Sequence, residues 1–505
     1  MTGVSLGVEV YLSLAVYFLV MLGIGWYGFV HSTGDLSEYM LGGRKMGPSV
    51  TALSAGASDM SGWMLMGLPG AIFAAGLTEA WIAVGLSIGA YLNYLFIAPR
   101  LRTYTFVAKD SLTIPDFFEN RFVDNTRLLR LVSAVIVLVF FTLYTSAGMV
   151  SGGVLFESAF GLDYRLGLLV TSAVVVAYTL FGGFLAVSMT DFVQGVIMFI
   201  ALVLVPLVAF NSIGGVTETF EIIRAIDPNL TSMTQGLTMI GFISLMAWGL
   251  GYAGQPHIIV RFMAIRDVKS LTAARRIGMT WMLVAIVGAV LTGFTGLAYV
   301  TQNGLSLQNP ETVFIYLSQL LFHPLIAGFL LAAILAAIMS TISSQLLVTS
   351  SALVGDFYKT FLRKDASDQE LVLMGRLAVL LVALVSIGLA YTPNDTILGL
   401  VGNAWAGFGA AFGPVIIMSL YWKKMSRWAA LAGMLTGALT VVGWIYIPNL
   451  KASMGGLYEM VPGFILSLLA IIVVSVLTGH ARPVVRAGFD DFEEKHDAAL
   501  KPSDQ

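Results

Sequence analysis

The sequence predicts an all-α protein embedded in a lipid bilayer, and three observations support this fold class. Of the 505 residues, 57% are hydrophobic and only 11% are charged, whereas a soluble domain carries about 25% charged residues. Apolar stretches recur that are long enough to cross a membrane, which takes about 20 residues. Basic residues also alternate between the loops, as they do in membrane proteins. So few charges cannot cover a water-facing surface of this size, so lipid must form part of the solvent.

Thirteen spanning segments are predicted, and we number them in chain order. They cover about residues 7–29, 48–75, 79–99, 129–156, 162–182, 187–211, 236–257, 275–301, 322–353, 371–392, 396–421, 428–447 and 457–479. We expect residues 1–479 to form a single transmembrane domain, with the first segment retained as a helix rather than cleaved as a signal peptide. Residues 480–505 form a short tail, whose charges Asp490, Asp491, Glu493 and Glu494 are expected to face solvent.

The distribution of basic residues predicts the orientation. With the amino terminus outside, the 27 Lys and Arg all fall in cytoplasmic segments except Arg165, Arg224 and Lys451. A missed or additional helix would place the basic residues that follow it on the wrong side of the membrane and remove this bias. The bias therefore predicts an external amino terminus and a cytoplasmic carboxyl terminus.

Two segments carry residues that favour an interrupted helix. Segment two contains residues 54–63 (SAGASDMSGW), and segment seven contains residues 248–257 (WGLGYAGQPH). Glycine costs about 1 kcal/mol and proline about 3 kcal/mol in a helix interior, and open backbone at membrane depth is tolerated only where it lines a cavity or is buried in protein. Paired interruptions in two halves point to the binding site of a transporter. The alternative, above all for segment seven, is that the glycines only allow close packing of helices.

The spacing of the interrupted segments predicts internal symmetry. They lie five segments apart, which suits two five-helix repeats, segments 2–6 and segments 7–11, over about residues 48–211 and 236–421. Because an odd number of alternating helices reverses direction, the two repeats would be inverted.

Asp59 is the residue that most clearly predicts a function. An acid near the middle of a membrane helix costs at least about 2.5 kcal/mol on insertion scales, so it needs a partner. No Lys or Arg lies in segment two, which favours a cation or a proton over a local salt bridge. The alternatives are a salt bridge to an arginine distant in sequence, or hydrogen bonds that brace the open helix. Asp191, near the cytoplasmic end of segment six, could guide a cation or cap a helix.

Segment nine carries a hydroxyl patch. Ser340, Thr341, Ser343 and Ser344 follow an apolar run, and Ser340 and Ser344 share a helix face because they are four residues apart. Hydroxyl and carbonyl oxygens are hard ligands that suit a small cation, and they favour sodium over a proton relay because they do not titrate. The alternative is that they bond only to their own backbone or to a neighbouring helix.

Residues 51–71 (TALSAGASDMSGWMLMGLPGA) resemble the signature of the sodium/solute symporter family, and within it the bacterial sodium/proline symporters. Further stretches agree, so that the resemblance covers nearly the whole chain: 41–44 (LGGR), 182–188 (GGFLAVS), 247–263 (AWGLGYAGQPHIIVRFM) and 332–346 (AAILAAIMSTISSQL). The resemblance implies a five-plus-five inverted-repeat (LeuT-like) core formed by helices 2–6 and 7–11, in a bacterial cytoplasmic membrane. It also implies import of L-proline coupled to sodium by alternating access.

The resemblance further implies roles for particular residues. The carbonyls of Ala57, Met60 and Ala337 and the hydroxyls of Ser340 and Thr341 would hold sodium. The expected substrate-binding residues are Ser61, Gly62, Tyr144, Trp248, Tyr252 and Pro256. Asp59, Arg44 and Asp191 would act along the ion path or in coupling. Helix-end amides could hold the carboxylate of proline, and aromatic rims could attract its ammonium group.

Other classes of protein fit the sequence less well. The five histidines are scattered, no nucleotide-binding loop occurs, and cysteine is absent, which argues against an enzyme. A net charge of −2 gives no reason to expect nucleic acid, and no obligate protein partner is indicated. A channel and a sensor module are competing classes. Among transporters, the alternatives are another small solute, such as pantothenate or a different amino acid, and coupling to protons.

Overall fold

A computed structural model gives the structure of the chain and describes residues 7–31 and 36–501. The described chain is helical and contains no β-strand, which confirms the predicted all-α class. Its α-helices are α1 (Val8–His31), α2 (Leu36–Leu41), α3 (Pro48–Asp59), α4 (Leu68–Ala75), α5 (Ala80–Leu92), α6 (Ala98–Val107), α7 (Ile114–Phe122), α8 (Leu128–Phe160), α9 (Tyr164–Ile213), α10 (Val216–Ile226), α11 (Met239–Met246), α12 (Pro256–Ala264), α13 (Ser270–Gln302), α14 (Val313–Leu321), α15 (Pro324–Ser351), α16 (Asp368–Ala390), α17 (Ile397–Tyr421), α18 (Arg427–Tyr446), α19 (Leu450–Ser453), α20 (Met460–Leu477) and α21 (Pro483–Leu500). Longer 3₁₀- or π-helical turns occur at Trp63–Gly67, Asn93–Ile97, Ala247–Gly254 and Ala352–Leu362.

Ten helical stretches of the described chain are long and apolar enough to cross a membrane. They are Val8–Gly28, Trp63–Val107, Leu128–Phe160, Gly183–Ile213, Ser270–Gln302, Pro324–Leu362, Asp368–Ala390, Ile397–Tyr421, Arg427–Tyr446 and Met460–Leu477. Two shorter apolar stretches, Tyr164–Leu180 and Met239–Gly254, lie where segments five and seven are predicted. The chain is therefore a multi-pass membrane protein, and the number thirteen stays a prediction.

Glycines bend the chain where one helical stretch holds two predicted segments. Trp63–Val107 has 45 residues and α9 has 50; at 1.5 Å per residue they would be about 68 and about 75 Å long, against a hydrocarbon core of about 30 Å. Gly76 adopts φ 78° and ψ −162°, and Gly183 adopts φ 58° and ψ −163°. This backbone region is open essentially to glycine alone. Neither stretch is therefore one straight span.

The helices around the two predicted interruptions pack as two groups. In the first, α3, α4 and α5 pack on α13, while α12 packs on α3 and α6; we call α3, α4, α5, α6, α12 and α13 the broken-helix group. In the second, α8, α9, α15 and α16 pack on one another, and we call them the long-helix group. The two groups meet where α3 packs on α9 and α15 and where α13 packs on α9.

Close backbone contacts explain the glycines of segment seven. A Cβ on Gly249 would collide with the carbonyl oxygen of Gly85 in α5, and a Cβ on Gly251 would collide with the indole of Trp405 in α17. Interiors packed this tightly leave no room for an added side chain. The packing role considered as an alternative is therefore correct for these glycines, and it coexists with an opening of the helix at Gln255.

The tail forms α21 and packs on the membrane domain by one face. Its buried side chains are Val485, Phe489, Phe492 and His496, at the spacing of an amphipathic helix. Phe492 stacks on Tyr104 of α6 with ring centroids 4.0 Å apart. The charges predicted to face solvent are exposed; the apolar stripe between them was not predicted.

Candidate functional site

The first interruption separates α3 from α4, within segment two. α3 ends at Asp59, and Met60 leaves the helical region with φ −88° and ψ 79°. The amide of Ser61 donates to the Asp59 carbonyl at 3.1 Å, and helical structure resumes through the π-helical turn Trp63–Gly67. The prediction of an open helix at this point is confirmed.

The second interruption separates α11 from α12, within segment seven. A 3₁₀ turn, Ala247–Gly254, follows α11, and Gln255 is extended with φ −88° and ψ 103°. Pro256 begins α12, a position where its missing N–H costs no helical hydrogen bond. Gln255 Nε2 donates to the carbonyl of Trp405 at 3.0 Å, so α17 braces the break. This predicted interruption is also confirmed.

Asp59 connects the two interruptions. Its Oδ2 accepts a hydrogen bond of 2.5 Å from the hydroxyl of Tyr252, which belongs to the turn before the second break. Its Oδ1 is buried and has no hydrogen-bond partner among the described residues. Of the alternatives weighed from the sequence, a bracing hydrogen bond is present, whereas in the described chain no arginine or lysine is paired with Asp59. The second carboxylate oxygen is therefore available to a cation or to a hydrogen-bond donor.

Four of the five groups expected to hold sodium lie together where α3 meets α15. Ser340 Oγ donates to the Ala57 carbonyl at 2.7 Å, and it lies 3.1 Å from the Ala337 carbonyl. Thr341 Oγ1 lies 3.4 Å from the same Ala57 carbonyl. Met60, the fifth, is buried at the break that ends α3. The cluster gathers uncharged hard oxygens, the ligand type that a small cation prefers, across the interface between the two helix groups.

Ser61, Gly62 and Tyr144 lie where α8 passes the two interruptions. A Cβ on Gly62 would collide with the hydroxyl of Ser151 in α8, so this crossing requires glycine. Ser61 Oγ accepts from the Trp63 amide at 3.4 Å. Tyr144 belongs to α8, and its ring packs edge-on against His257 of α12 at 5.6 Å. The structure therefore brings these three predicted substrate residues to one junction.

Trp248 and Pro256 lie in different surroundings. The ring of Trp248 stacks on Tyr458, with centroids 5.4 Å apart and planes 16° apart. Its carbonyl accepts from Trp405 Nε1 at 2.8 Å, so this tryptophan braces the turn before the second break. Pro256 lines a cavity between α12 and α15 whose wall does not include Asp59. The predicted substrate residues thus do not share a single cavity in this structure.

A small cavity lies beside Asp59, between α3, α5, α12 and α13. Its wall includes Met60, Asn93, Tyr94 and Tyr252. About 20 Å³ is open to the centre of a water molecule, which is room for about one water. Asn93 Oδ1, like Asp59 Oδ1, is buried without a partner in the described chain. A water or a sodium-sized ion fits here, whereas a molecule as large as proline does not, so the structure is a closed conformation around Asp59.

A buried ion pair lies close to the four groups of Ala57, Ala337, Ser340 and Thr341 that are expected to hold sodium, which we call the sodium cluster. Arg261 Nη2 is 3.2 Å from Asp191 Oδ2, and the two side chains are 1% and 0% exposed. Ser54 Oγ donates to Asp191 Oδ2 at 2.7 Å, and Ser344 Oγ accepts from Arg261 at 2.5 Å. Both serines lie about one helical turn from the sodium cluster, along α3 and α15 respectively. The ion pair and its two serine partners therefore join α9, α12, α3 and α15 about one helical turn from that cluster.

This ion pair corrects two expectations. Asp191 lies inside α9 and is paired, so the interpretation that it caps a helix is wrong; whether it guides a cation stays a prediction. Arg261, counted among the cytoplasmic loop charges, is a buried residue of α12. Apolar residues flank Arg261 on both sides, in the run 258–263. The cost of a charge in such a run is the signal that could have identified Arg261 from the sequence, as it identified Asp59.

Arg44 lies outside the spanning helices, next to the end of α12. Its guanidinium donates to Asp110 Oδ1 at 2.7 Å, to the Ser111 carbonyl at 2.7 Å and to the Met263 carbonyl at 2.6 Å. Burial of the side chain lowers the pKa of the Arg44 guanidinium, and the charge of Asp110 partly offsets this effect. Arg44 thus stabilises contacts between a loop and α12, and none of its hydrogen bonds goes to Asp59 or to the sodium cluster.

Curated relatives match nearly the full length of the chain. A family model described as the sodium:solute symporter family matches residues 39–437. The osmoregulated proline transporter OpuE of Bacillus subtilis (strain 168) is 62% identical over 473 residues, which cover 94% of this chain and 96% of that protein. The high-affinity proline transporter PutP of the same strain is 60% identical over 475 residues, covering 94% and 99%. Sodium/proline symporter 2 of Staphylococcus saprophyticus is 56% identical over 476 residues, covering 93% of each chain.

Solved structures share the fold at low sequence identity. A sodium-coupled sialic acid symporter in a substrate-bound, outward-open state matches with a TM-score of 0.80 at 19% identity, covering 95% of this chain and 100% of that one. Mhp1, a nucleobase-cation-symport-1 family transporter, matches with a TM-score of 0.54 at 14% identity, covering 92% and 100%. Because the family model matches most of the chain and relatives more than half identical span nearly all of it, this chain belongs to the sodium:solute symporter family.

Proposed function

We propose that the protein imports L-proline together with sodium, by alternating access, in the cytoplasmic membrane of a bacterium. The observation that carries this proposal is the oxygen cluster that joins α3 to α15, centred on the 2.7 Å contact between Ser340 Oγ and the Ala57 carbonyl. Relatives more than half identical are named as proline transporters or sodium/proline symporters. Sodium suits the cluster better than a proton because its hydroxyls and carbonyls do not titrate.

Sodium binding would fasten the two helix groups together. In the structure the Ser340 hydroxyl donates a hydrogen bond to the Ala57 carbonyl. A sodium ion at this position would instead attract the lone pairs of both oxygens, together with those of Ala337, Thr341 and Met60. Because Ala57 belongs to the broken-helix group and Ser340 to the long-helix group, the ion holds the interface between them. Loss of the ion then allows the groups to separate.

Proline would bind beside the first break, close to the ion. The amides that follow the break, near Ser61 and Gly62, can hold its carboxylate, and the aromatic rings of Tyr144 and Tyr252 can pack on its pyrrolidine ring. Asp59 lies between these groups and can attract either the ammonium of proline or the entering cation. Two ligands that order the same break raise each other's affinity by the same factor, which couples the uptake of proline to sodium.

The remaining predicted residues act around this site rather than on the ion. Trp248 supports the turn that carries Tyr252 through its contacts with Tyr458 and Trp405, and Pro256 sets the start of α12. Arg44 and Asp191 would affect coupling through the contacts they make with α12. Both contacts hold the broken-helix group in its present position.

We also propose the topology that the sequence predicts. It has thirteen spanning helices, inverted repeats over about residues 48–211 and 236–421, a transporter domain over residues 1–479 and a cytoplasmic tail over residues 480–505. The interruptions between α3 and α4 and between α11 and α12 support the repeats, because they occur at matching positions. The amino terminus would be outside and the carboxyl terminus inside.

The sodium gradient is sufficient to concentrate proline strongly. One sodium ion entering across a potential of 100 mV contributes about 2.3 kcal/mol, and a tenfold sodium gradient contributes about 1.4 kcal/mol. The sum of about 3.7 kcal/mol sustains an accumulation of about five-hundredfold at one sodium per proline.

Uptake of radiolabelled proline by proteoliposomes tests the proposal. With an inward sodium gradient we expect saturable accumulation above equilibrium, and we expect it to collapse when sodium is equal on both sides. Unlabelled proline should compete, whereas pantothenate and other amino acids should not. Uptake that depends on a pH gradient and not on sodium would contradict sodium coupling. Uptake of the label that excess unlabelled proline leaves unchanged would contradict a saturable binding site for proline.

A further inference from the structure

A second cavity lies between the two helix groups, next to the second break. Its lining includes Val137, Pro256, Val260, Val348, Ser351 and the loop segment 112–115. Pro256 and Val260 belong to α12, in the broken-helix group, whereas Val137 belongs to α8 and Val348 and Ser351 belong to α15, in the long-helix group. The remaining wall includes residues of α2, of the loop and of the start of α7. Any separation of the two groups therefore widens this cavity.

The walls of the cavity suit a small amphipathic solute. Most lining residues are apolar, and about 20 Å³ is open to the centre of a water molecule, so the space is nearly shut in this conformation. Ser351 Oγ is buried and has no hydrogen-bond partner among the described residues. An unpaired hydroxyl in an apolar wall offers one polar contact to a solute that carries a charged group and a compact apolar ring.

The loop 110–116, whose last three residues form the first turn of α7, closes this cavity and is tied to the broken-helix group at its first end. Arg44 pairs with Asp110 at 2.7 Å and donates to the Ser111 carbonyl at 2.7 Å. The same guanidinium donates to the Met263 carbonyl, in the last turn of α12, at 2.6 Å. One buried arginine thus connects the start of the loop to the helix that forms one wall of the cavity.

The other end of the loop is tied to the long-helix group. Thr113 Oγ1 donates to Asp356 Oδ1 at 2.9 Å, and Asp356 is a 1% exposed residue of the π-helical turn that continues α15. Arg130, near the start of α8, lies 3.5 Å from Asp356 and also pairs with Asp116 of α7. We call Thr113, Asp116, Arg130 and Asp356 the loop clasp.

We propose that this cavity is a transit site for the solute on its way to the cytoplasm, and that the loop 110–116, held by the loop clasp, is its gate. The proposal rests on the function and orientation proposed above. Because the first end of the loop is tied to the broken-helix group and the second end to the long-helix group, separation of the groups strains the loop clasp. Breaking the clasp exposes the cavity to the side of the membrane that carries Arg44 and Arg130.

Labelling of a single cysteine tests the gate, since the chain has no cysteine of its own. The variant Val260→Cys places a thiol in the cavity wall, and a membrane-impermeant maleimide is applied to inside-out vesicles. We expect slow labelling in this variant and about tenfold faster labelling when Asp356→Asn is added, because the neutral amide still accepts from Thr113 but loses the charge that strengthens this hydrogen bond and pairs with Arg130. Thr113→Val, which removes the hydroxyl that donates to Asp356, should have a similar effect if Asp356→Asn does not fold.

The matched control is Glu370→Gln, which breaks a partly exposed ion pair with Arg363 near the loop clasp without touching the loop. It should leave the labelling rate of Val260→Cys unchanged. Equal labelling in all variants would overturn the gate, and so would faster labelling only from the opposite face of the membrane.

Protection of the thiol by proline is the measurement that tests the transit site independently of the proposed function. In the Val260→Cys/Asp356→Asn background, saturating proline with sodium should slow labelling by at least about threefold, because bound solute covers the thiol. If the parent protein imports proline but proline gives no protection, the transit site is wrong and the proposed function stands. If clasp variants speed labelling while proline is not a substrate, the gate stands and the proposed solute is wrong.

Discussion

The hydroxyl of Tyr252 donates a 2.5 Å hydrogen bond to Asp59 Oδ2, and this contact joins the two interrupted helices at the point where each one opens. The partner of a buried carboxylate is usually a cation or several donors. Here one oxygen is satisfied by a neutral phenol and the other has no partner among the described residues. A cation that bound Asp59 would alter this contact, and through Tyr252 the change would reach the second break.

Removing the hydroxyl of Tyr252 tests this connection. Tyr252→Phe removes the hydrogen bond that the Asp59 carboxylate accepts from the phenol, and such bonds to charged groups contribute about 1.5–3 kcal/mol. We expect kcat/KM for sodium-dependent proline uptake to fall by about ten- to hundredfold. Tyr446→Phe is the control, because that side chain is 68% exposed. An unchanged kcat/KM in Tyr252→Phe would show that the two breaks act independently.

Neutralising Asp59 should impair sodium use most strongly. Asp59→Asn keeps the size of the side chain and can still accept from Tyr252, but it removes the negative charge that attracts a cation. We expect the sodium concentration for half-maximal uptake to rise by orders of magnitude, measured from initial rates over a sodium titration. Normal sodium dependence in this variant would remove Asp59 from the ion path.

Two serines on α15 provide a matched pair for the sodium cluster. Ser340→Ala removes a hydroxyl that lies 2.7 Å from the Ala57 carbonyl across the helix interface, whereas Ser343→Ala removes one that donates to the carbonyl of Ser340 in its own helix. We expect Ser340→Ala to raise the half-saturating sodium concentration by about tenfold, the effect of about 1.4 kcal/mol. Ser343→Ala should change it little. Equal effects of the two variants would count against a sodium ligand at Ser340.

Removing one charge of the buried pair Asp191–Arg261 should destabilise the protein more than removing both charges. Asp191→Asn leaves Arg261 buried and uncompensated, which typically costs about 3–5 kcal/mol. We expect a lower Tm in detergent and weak uptake for this single variant. The double variant Asp191→Asn/Arg261→Met removes both charges and should recover much of the Tm. Additive losses in the double variant would mean that the two residues do not interact energetically.

The docking of α21 should depend on pH through His496. His496 contacts Thr103 Oγ1 at 3.2 Å, and burial, followed by the charge of Arg100, lowers the pKa of His496 below its usual 6.5, although Asp497 and Glu493 oppose this shift. Docking therefore favours neutral histidine. It is strongest above pH 6.5 and weakens as the pH falls below that value toward the lowered pKa.

Hydrogen exchange over residues 483–500 measures this dependence. Exchange protection, corrected for the intrinsic rate, should be lower at about pH 5.5 than at about pH 8, the range over which histidine titrates. His496→Gln should lose most of the pH dependence, because glutamine does not titrate. The same loss of protection at low pH in His496→Gln would assign the effect to another group.

Much of the site could be predicted from local composition. Glycine, proline and an acid cannot occupy the middle of a continuous lipid-facing helix without a cost, so residues 54–63 and 248–257 indicated openings that the structure confirms. The helical repeat placed Ser340 and Ser344 on one face, and both hydroxyls point to the same side of α15, toward Ala57 and Arg261 respectively.

Contacts between residues far apart in the chain could not be predicted in this way. No local pattern indicates that Arg261 pairs with Asp191, that Trp248 stacks on Tyr458, or that Pro256 lines a cavity apart from Asp59. These outcomes depend on how helices rotate about their axes when they pack, and that rotation is set by side-chain volumes from several helices at once. The chain itself encodes where its helices open and which oxygens line one face, because those are properties of neighbouring residues. The partner that each buried charge finds is settled only when the helix groups come together, because in a medium without water every charge must find its partner among the surrounding helices.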